Sequence, residues 1–439
     1  MIVVGPYLRV RRGDSEAQTD HHALRDFEAR LEEAQGLARA IDLEVVDALT
    51  VTIGQIRPAT FLGKGKVEEI IGLITGREIE LVVMDCALSP IQQRNLEKAW
   101  NTKVLDRTGL ILEIFGRRAK TKEGALQVEL AHLNYQRSRL VRSWTHLERQ
   151  RGGFGFMGGP GETQIEADRR LIGERITRLE NELKKVEATR RLHRAGRQRV
   201  PYRVVALVGY TNAGKSTLFN RLTRADVQAA DMLFATLDPT LRALKLPHGG
   251  KAMLSDTVGF ISNLPTQLVA AFRATLEEVL EADVILQVRD MSHEDAEAQQ
   301  RDVDAVLRQL GIDPEAGGRI LEVWNKIDRF SPEERENLRN IAARRPPEHP
   351  CLLVSAETGE GIDALQAAIE DRLAAMRTTL DLSIDASDGA GISWLHRNAE
   401  VLNKELHEGR FDMTVRVDET KRDIVVNRFG AVPNLSLTA

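Results

Sequence analysis

The chain has 439 residues, 42% hydrophobic and 29% charged, with a net charge of −4. That length suits about three domains, and the balance is that of a folded soluble protein rather than a disordered or membrane-embedded one. No apolar run approaches the ~18 residues of a membrane span, residues 1–6 show no basic region ahead of an apolar run and so no secretion signal, and two cysteines, Cys86 and Cys351, exclude a disulfide framework and point to a reduced, cytoplasmic chain.

Charge is unevenly spread. Residues 101–203 carry 23 Lys+Arg against 12 Asp+Glu, residues 204–439 carry 26 against 37, and residues 1–100 carry 12 against 16. A basic middle between acidic ends suits contact with a polyanion.

Residues 1–118 alternate strand and helix patterns. Strands are predicted at 2–10, 43–53, 81–84 and 103–105, and helices at 23–40, 67–74 and 91–100. Such alternation predicts an N-terminal α/β domain on a parallel sheet. Within it, Phe61-Leu62-Gly63-Lys64-Gly65-Lys66 precedes a helix. A glycine turn with solvated lysines is the plainer reading, and an anion site the alternative.

Residues 119–200 hold two long helical patterns, 123–147 and 162–193, which predict an antiparallel hairpin ending in a basic linker. Its tip, 149–161, holds six glycines with Arg149, Arg151, Phe154, Phe156 and Met157. Arginines among aromatics suit phosphate contact and base stacking, so Arg149, Arg151, Phe154 and Phe156 are the candidate RNA contacts. The alternative is a hydrophobic loop tucked under a neighbouring domain. Residues 201–375 form the nucleotide domain derived below, with a mostly parallel sheet and helices on both faces. Residues 376–439 predict a small α+β domain, with strands at 380–384, 413–417 and 424–426 and a helix at 393–406.

The chemistry begins at VVALVGYTNAGKST, an apolar strand pattern followed by Gly209, Tyr210, Thr211, Asn212, Ala213, Gly214, Lys215 and Ser216 and then a helical run. This is the phosphate-loop pattern G-x-x-x-x-G-K-[ST] in its required strand and helix context. Glycines let successive N–H groups face one anion, and the helix N-terminus adds partial positive charge. Lys215 reaches the β- and γ-phosphates, and Ser216 offers its hydroxyl to Mg²⁺.

Four later motifs select the nucleotide. Phe234, Ala235, Thr236, Leu237 and Asp238 form a segment whose threonine completes the magnesium shell and closes over the ligand. Asp256, Thr257, Val258 and Gly259 match D-x-x-G, the aspartate holding the metal through water and the glycine N–H sensing the γ-phosphate. Asn325, Lys326, Ile327 and Asp328 match N-K-x-D. The Asp328 carboxylate accepts from guanine N1–H and N2–H₂, donors that adenine lacks, so GTP is chosen over ATP. Ser355, Ala356 and Glu357 offer a backbone N–H to guanine O6. Lys215, Thr236 and Gly259 carry the catalytic roles.

The stretches GYTNAGKSTLFN, DMLFATLDPT, DTVGFI, NKID and SAETG resemble the HflX GTPases of bacteria, and so do LGKGK, DRTGLILEIF, AKTKEGALQVELAHL and GGPGETQIEADRR outside the nucleotide domain. The resemblance implies a GTP-driven factor of the large ribosomal subunit. It also implies a hairpin tip directed at rRNA near the peptidyl-transferase region and the splitting of stalled ribosomes. No DNA partner and a monomer are expected. Phe260 stands where signalling GTPases carry the glutamine that orients the attacking water, so turnover is expected to be slow alone and faster on the ribosome. Asn212 occupies a position where some GTPases keep K⁺ beside the phosphates; a loop-stabilising side chain is the alternative. Two competing readings are a regulatory GTPase with a protein-binding hairpin, and an ATP-using RNA remodeller acting through Lys64 and Lys66.

Overall fold

The computed structural model describes residues 1–8, 27–150, 160–197, 203–224, 233–234, 236–237, 240–262, 273–316, 318–346, 349–375 and 377–433. The chain divides into two units, residues 1–244 with 251–362, and residues 245–250 with 363–439.

The first unit opens with β1 (Ile2–Leu8), α1 (Phe27–Arg39), β2 (Asp47–Ile53), α2 (Lys64–Gly76), β3 (Leu81–Met84), α3 (Pro90–Trp100), β4 (Lys103–Asp106) and α4 (Arg107–Arg118). The strands pair in parallel in the order β2-β1-β3-β4, as the alternation predicts. Central β1 and β3 read as unbroken apolar runs because both faces are covered, and Ile2, Val3, Val4, Val82, Val83 and Met84 are all buried. Helix α3 starts behind a capping box of Ser89 and Gln92. Helix α4 starts where the Asp106 carboxylate accepts the Gly109 N–H at 2.8 Å. Lys64 opens α2 and Lys66 pairs with Glu69 at 2.6 Å, both lysines exposed, which agrees with the solvated reading.

The hairpin is α5 (Lys122–Gln150) and α6 (Pro160–Arg197). Leu126, Leu179 and Leu183 pack together along it, beside Leu130, Leu133 and Val186, and Arg175 reaches Glu129 at 2.7 Å. Asp106 anchors the hairpin to the N-terminal sheet by accepting from Tyr135 Oη at 2.5 Å and Arg139 Nη2 at 2.7 Å. The tip candidates Arg151, Phe154 and Phe156 lie outside the described residues, and for Arg149 only the helical backbone is described.

Next come β5 (Arg203–Gly209), α7 (Lys215–Thr223), β6 (Thr240–Lys245), β7 (Lys251–Asp256), α8 (Arg273–Glu281), β8 (Val284–Asp290), α9 (Ala296–Gln309), β9 (Ile320–Asn325), α10 (Pro332–Ala343) and β10 (Cys351–Leu353). The six strands are ordered β10-β9-β8-β5-β7-β6, and every pair from β10 to β7 is parallel. One core joins this sheet to the N-terminal helices: Leu37, Ile111 and Phe115 share it with Phe234, Leu237, Phe260 and Ile261. Phe115 and Phe234 meet edge to face at 4.8 Å.

Helix α11 (Ile362–Ala375) leads into the second unit, which holds β11 (Arg377–Asp385), α12 (Gly389–Asn398), β12 (Glu400–His407), β13 (Arg410–Asp418), α13 (Glu419–Phe429) and β14 (Val432–Pro433). Its sheet is antiparallel, ordered β12-β13-β11-β14, over a core of Leu380, Leu382, Ile384, Leu395, Met413, Val415, Val417 and Val425. The α+β expectation holds, but two of its elements need correction. The helix expected over 393–406 ends at Asn398, and the chain turns into β12. Glu408 and Gly409, with φ of 47° and 79°, make the left-handed turn that pairs β12 back onto β13. The strand expected at 424–426 lies inside α13, because a three-residue apolar run cannot distinguish strand from helix.

Candidate nucleotide site

The phosphate loop leaves the central strand β5 and feeds α7, so its N–H groups and the helix N-terminus face one point. Its glycines are steric requirements. A Cβ on Gly214 (φ 91°) would stand 2.2 Å from Asn325 Nδ2, and one on Gly209 2.2 Å from the Val288 carbonyl oxygen. Asn212 takes φ 60°, a left-handed conformation that asparagine tolerates, which supports its loop-shaping role. The D-x-x-G turn lies directly on the loop. Thr211 N–H donates to Phe260 O at 2.7 Å and Phe260 N–H to Gly209 O at 3.0 Å. A Cβ on Gly259 would touch Lys215 Nζ and Thr211 at 3.0 Å. Lys215 itself folds back to the Tyr210 carbonyl at 2.7 Å.

Three oxygens converge beside it. Ser216 Oγ donates to Asp256 Oδ2 at 2.7 Å, Thr236 Oγ1 donates to the same oxygen at 2.9 Å, and the two hydroxyls are 2.9 Å apart. Asp256 is fully buried, and its Oδ1 has no partner among the described residues. A buried orphan carboxylate oxygen with two hydroxyls is a hard donor set that fits Mg²⁺. Burial pushes the Asp256 carboxyl above its usual range, against the pull of Lys215. Burial pushes the Lys215 ammonium down to about 8, with Asp256 opposing and Lys326 adding to the fall. In the free protein the unfolded chain therefore holds a proton that the folded one has lost between pH 8 and the usual 10.5, so this group's contribution to stability rises across that window. Phosphate would restore the charge. Nucleotide binding at pH 8 should take up part of a proton, and the uptake should vanish by about pH 6. Calorimetry in buffers of different ionisation enthalpy measures it, and equal uptake at both pH values would contradict the assignment.

The N-K-x-D residues and residues 355–357 lie at the ends of β9 and β10. Asn325 bridges the two loops: its Nδ2 donates to Ala213 O at 2.8 Å and its Oδ1 accepts the Ala356 N–H at 3.0 Å. Lys326 pairs with Asp290 at 2.7 Å. Asp328 Oδ1 accepts from Ser355 Oγ at 2.5 Å, and the Asp328 carbonyl accepts from Arg335 Nη2 at 2.9 Å. Ile327 is packed inside. Of the second segment, Phe234, Thr236 and Leu237 are described, while Ala235 and Asp238 lie outside the described residues. Thr257 turns inward to the Leu207 carbonyl at 2.6 Å, and Val258 is buried, so these two support the turn.

The sequence did not reveal what touches the loop from the N-terminal sheet. Arg107, first residue of α4, pairs with Asp85 at 2.5 Å and with Glu33. Its Nη2 also donates to Ser262 Oγ at 3.0 Å and Ser262 O at 3.2 Å. Tyr210 of the phosphate loop donates its hydroxyl to Glu33 and accepts the Ser262 N–H at 2.8 Å. Tyr7 closes the far end on Asp85 at 2.9 Å. Burial alone would lower the Arg107 pKa, but Asp85 and Glu33 reverse that and hold it above its ordinary value. The only signal was the family-like stretch DRTGLILEIF, which contains Arg107 without showing its role.

Comparison with known proteins places these parts in one lineage. Four family models match in succession: GTP-binding GTPase N-terminal at 28–116, GTP-binding GTPase Middle Region at 118–197, 50S ribosome-binding GTPase at 204–326, and the HflX C-terminal domain at 340–437. The chain is 51% identical over 389 residues to the GTPase HflX of Magnetococcus marinus, covering 89% of this chain and 87% of that one. It is 46% identical over 346 residues to the GTPase HflX of Escherichia coli, covering 78% and 79%. It is 42% identical over 383 residues to that of Lacrimispora saccharolytica, covering 87% and 88%. No helix among the described residues is long and apolar enough to cross a membrane. With the phosphate loop, the D-x-x-G turn and the N-K-x-D strand end assembled on one sheet, and with relatives matched nearly end to end, the chain belongs to the HflX family of GTPases and is a GTP-hydrolysing enzyme.

Proposed function

We propose that GTP binding in this site lets the protein engage the large ribosomal subunit in the cytoplasm, with Arg149, Arg151, Phe154 and Phe156 of the hairpin tip against rRNA, and that this engagement splits or rescues stalled ribosomes. The observation that carries the reading is the match of residues 204–326 to a family described as 50S ribosome-binding GTPases. The surplus of basic residues over 101–203 supports it.

Within the site, Lys215 and the loop N–H groups hold the phosphates, Gly259 meets the γ-phosphate, and Asp328 with residues 355–357 reads guanine. Ser216, Thr236 and Asp256 would hold Mg²⁺, which neutralises charge on the transferring phosphoryl group. Asn212 shapes the loop, with a place beside K⁺ the alternative. Phe260 is 1% exposed and apolar, so no side chain at that position orients water, and stimulation by the ribosome is expected.

Sedimentation with ribosomes and a non-hydrolysable GTP analogue tests the proposal. The full chain should co-sediment and separate subunits, with association falling as salt rises. Deletion of residues 149–161 should abolish separation. A deletion variant that still associates and splits would show that the tip is not the rRNA contact.

A further inference from the structure

We propose that Arg221, outside every nucleotide motif, is the positioning residue that sets the guanine O6 contact. The inference deepens the reading of 325–328 and 355–357 as the base pocket and rests on it.

Arg221 lies on α7, the helix that begins at the phosphate loop. Its Nε donates to the Ala356 carbonyl at 3.1 Å, and its Nη2 donates to the Glu357 carbonyl. One rigid guanidinium therefore holds two successive peptide carbonyls of the loop after β10. The Ala356 carbonyl and the Glu357 N–H belong to one planar trans peptide and point in opposite directions. Fixing the carbonyl on Arg221 thus turns the Glu357 N–H away from α7.

The other donors of this loop are engaged. Ser355 N–H goes to Glu360 O at 2.9 Å, Ala356 N–H to Asn325 Oδ1 at 3.0 Å, and Thr358 N–H to Ser355 Oγ at 3.0 Å. Glu357 N–H has no hydrogen bond among the described residues, and Glu357 is exposed. It is the donor left for the 6-oxo group, and Arg221 aims it. The same contact ties the loop that reads the base to the helix that starts at the phosphates.

Binding of GDP, 6-thio-GDP and IDP separates this role from general support. 6-Thio-GDP keeps the donors read by Asp328 but replaces O6 with a weak acceptor. IDP keeps O6 and loses the 2-amino group. In Arg221→Ala, GDP should bind about tenfold more weakly, as expected for one misaligned reading hydrogen bond. The preference for GDP over 6-thio-GDP should collapse towards one, while the preference for GDP over IDP stays within about twofold. Arg221→Lys keeps the charge but lacks the paired donors. It covers the case in which alanine unfolds the chain, and it should lose most of the 6-oxo preference while keeping the 2-amino preference. Unchanged GDP binding, or equal loss of both preferences, overturns the proposal. Asp328→Asn run in parallel separates the failures. If it too leaves guanine binding unaltered, the base pocket is misplaced; if it alone acts, only the Arg221 assignment falls.

Discussion

Asp328→Asn should turn this protein from guanine towards xanthine nucleotides. The carboxylate is held by Ser355 Oγ at 2.5 Å, and the backbone behind it by Arg335 at 2.9 Å, so the side chain is preset before the base arrives. Guanine offers it two donors, and each charge-assisted bond contributes about 1.5–3 kcal/mol. Asparagine presents an amide in place of one carboxylate oxygen, so one contact becomes donor against donor. The expected loss is about 3–6 kcal/mol, roughly 10²- to 10⁴-fold in GDP affinity. Xanthine has a carbonyl at C2, which the new amide can meet, so XDP should bind tighter to the variant than to the native chain. Competition binding with fluorescent GDP and XDP reads both changes. A variant that keeps native GDP affinity would remove Asp328 from base recognition.

Arg107→Ala should destabilise the first unit by about 3–5 kcal/mol, because it removes the guanidinium that the buried Asp85 carboxylate and the half-buried Glu33 carboxylate share. The Asp85 side chain is 2% exposed and that of Glu33 12%, so water cannot replace the guanidinium. Ser262 and Tyr210 would lose the frame that holds them against the N-terminal sheet. The triple variant Arg107→Met, Asp85→Asn, Glu33→Gln carries no unpaired buried charge and should recover more than half of the loss. Denaturant unfolding followed by tryptophan fluorescence gives the comparison. A loss below about 1 kcal/mol for Arg107→Ala would mean that the cluster is hydrated and weak.

How much of this was legible in the chain depends on range. The phosphate loop, D-x-x-G and N-K-x-D are each a few consecutive residues at a strand end, where the backbone turn and the chemistry sit in one short window. The parallel pairing of the N-terminal sheet followed from strands and helices taking turns, while its strand order came from the structure. The second unit was harder. Residues 400–407 carry a helix-compatible pattern, and only antiparallel pairing with β13 made them a strand. Their contribution to that sheet is tertiary, and local propensity is overridden where neighbours decide burial.

The sequence by itself pointed to the nucleotide and the reaction, because those reside in contiguous motifs, and to the family, through stretches inside and outside them that resemble it. Only the tertiary structure decided how the site is braced. Arg107 reaches Ser262 across 155 positions, and Glu33 reaches it across 229. Arg221 reaches the loop after β10 across 135. A charged residue reads the same in a sequence whether it faces water or a buried carboxylate, and the difference is made by what the fold brings within 3 Å of it.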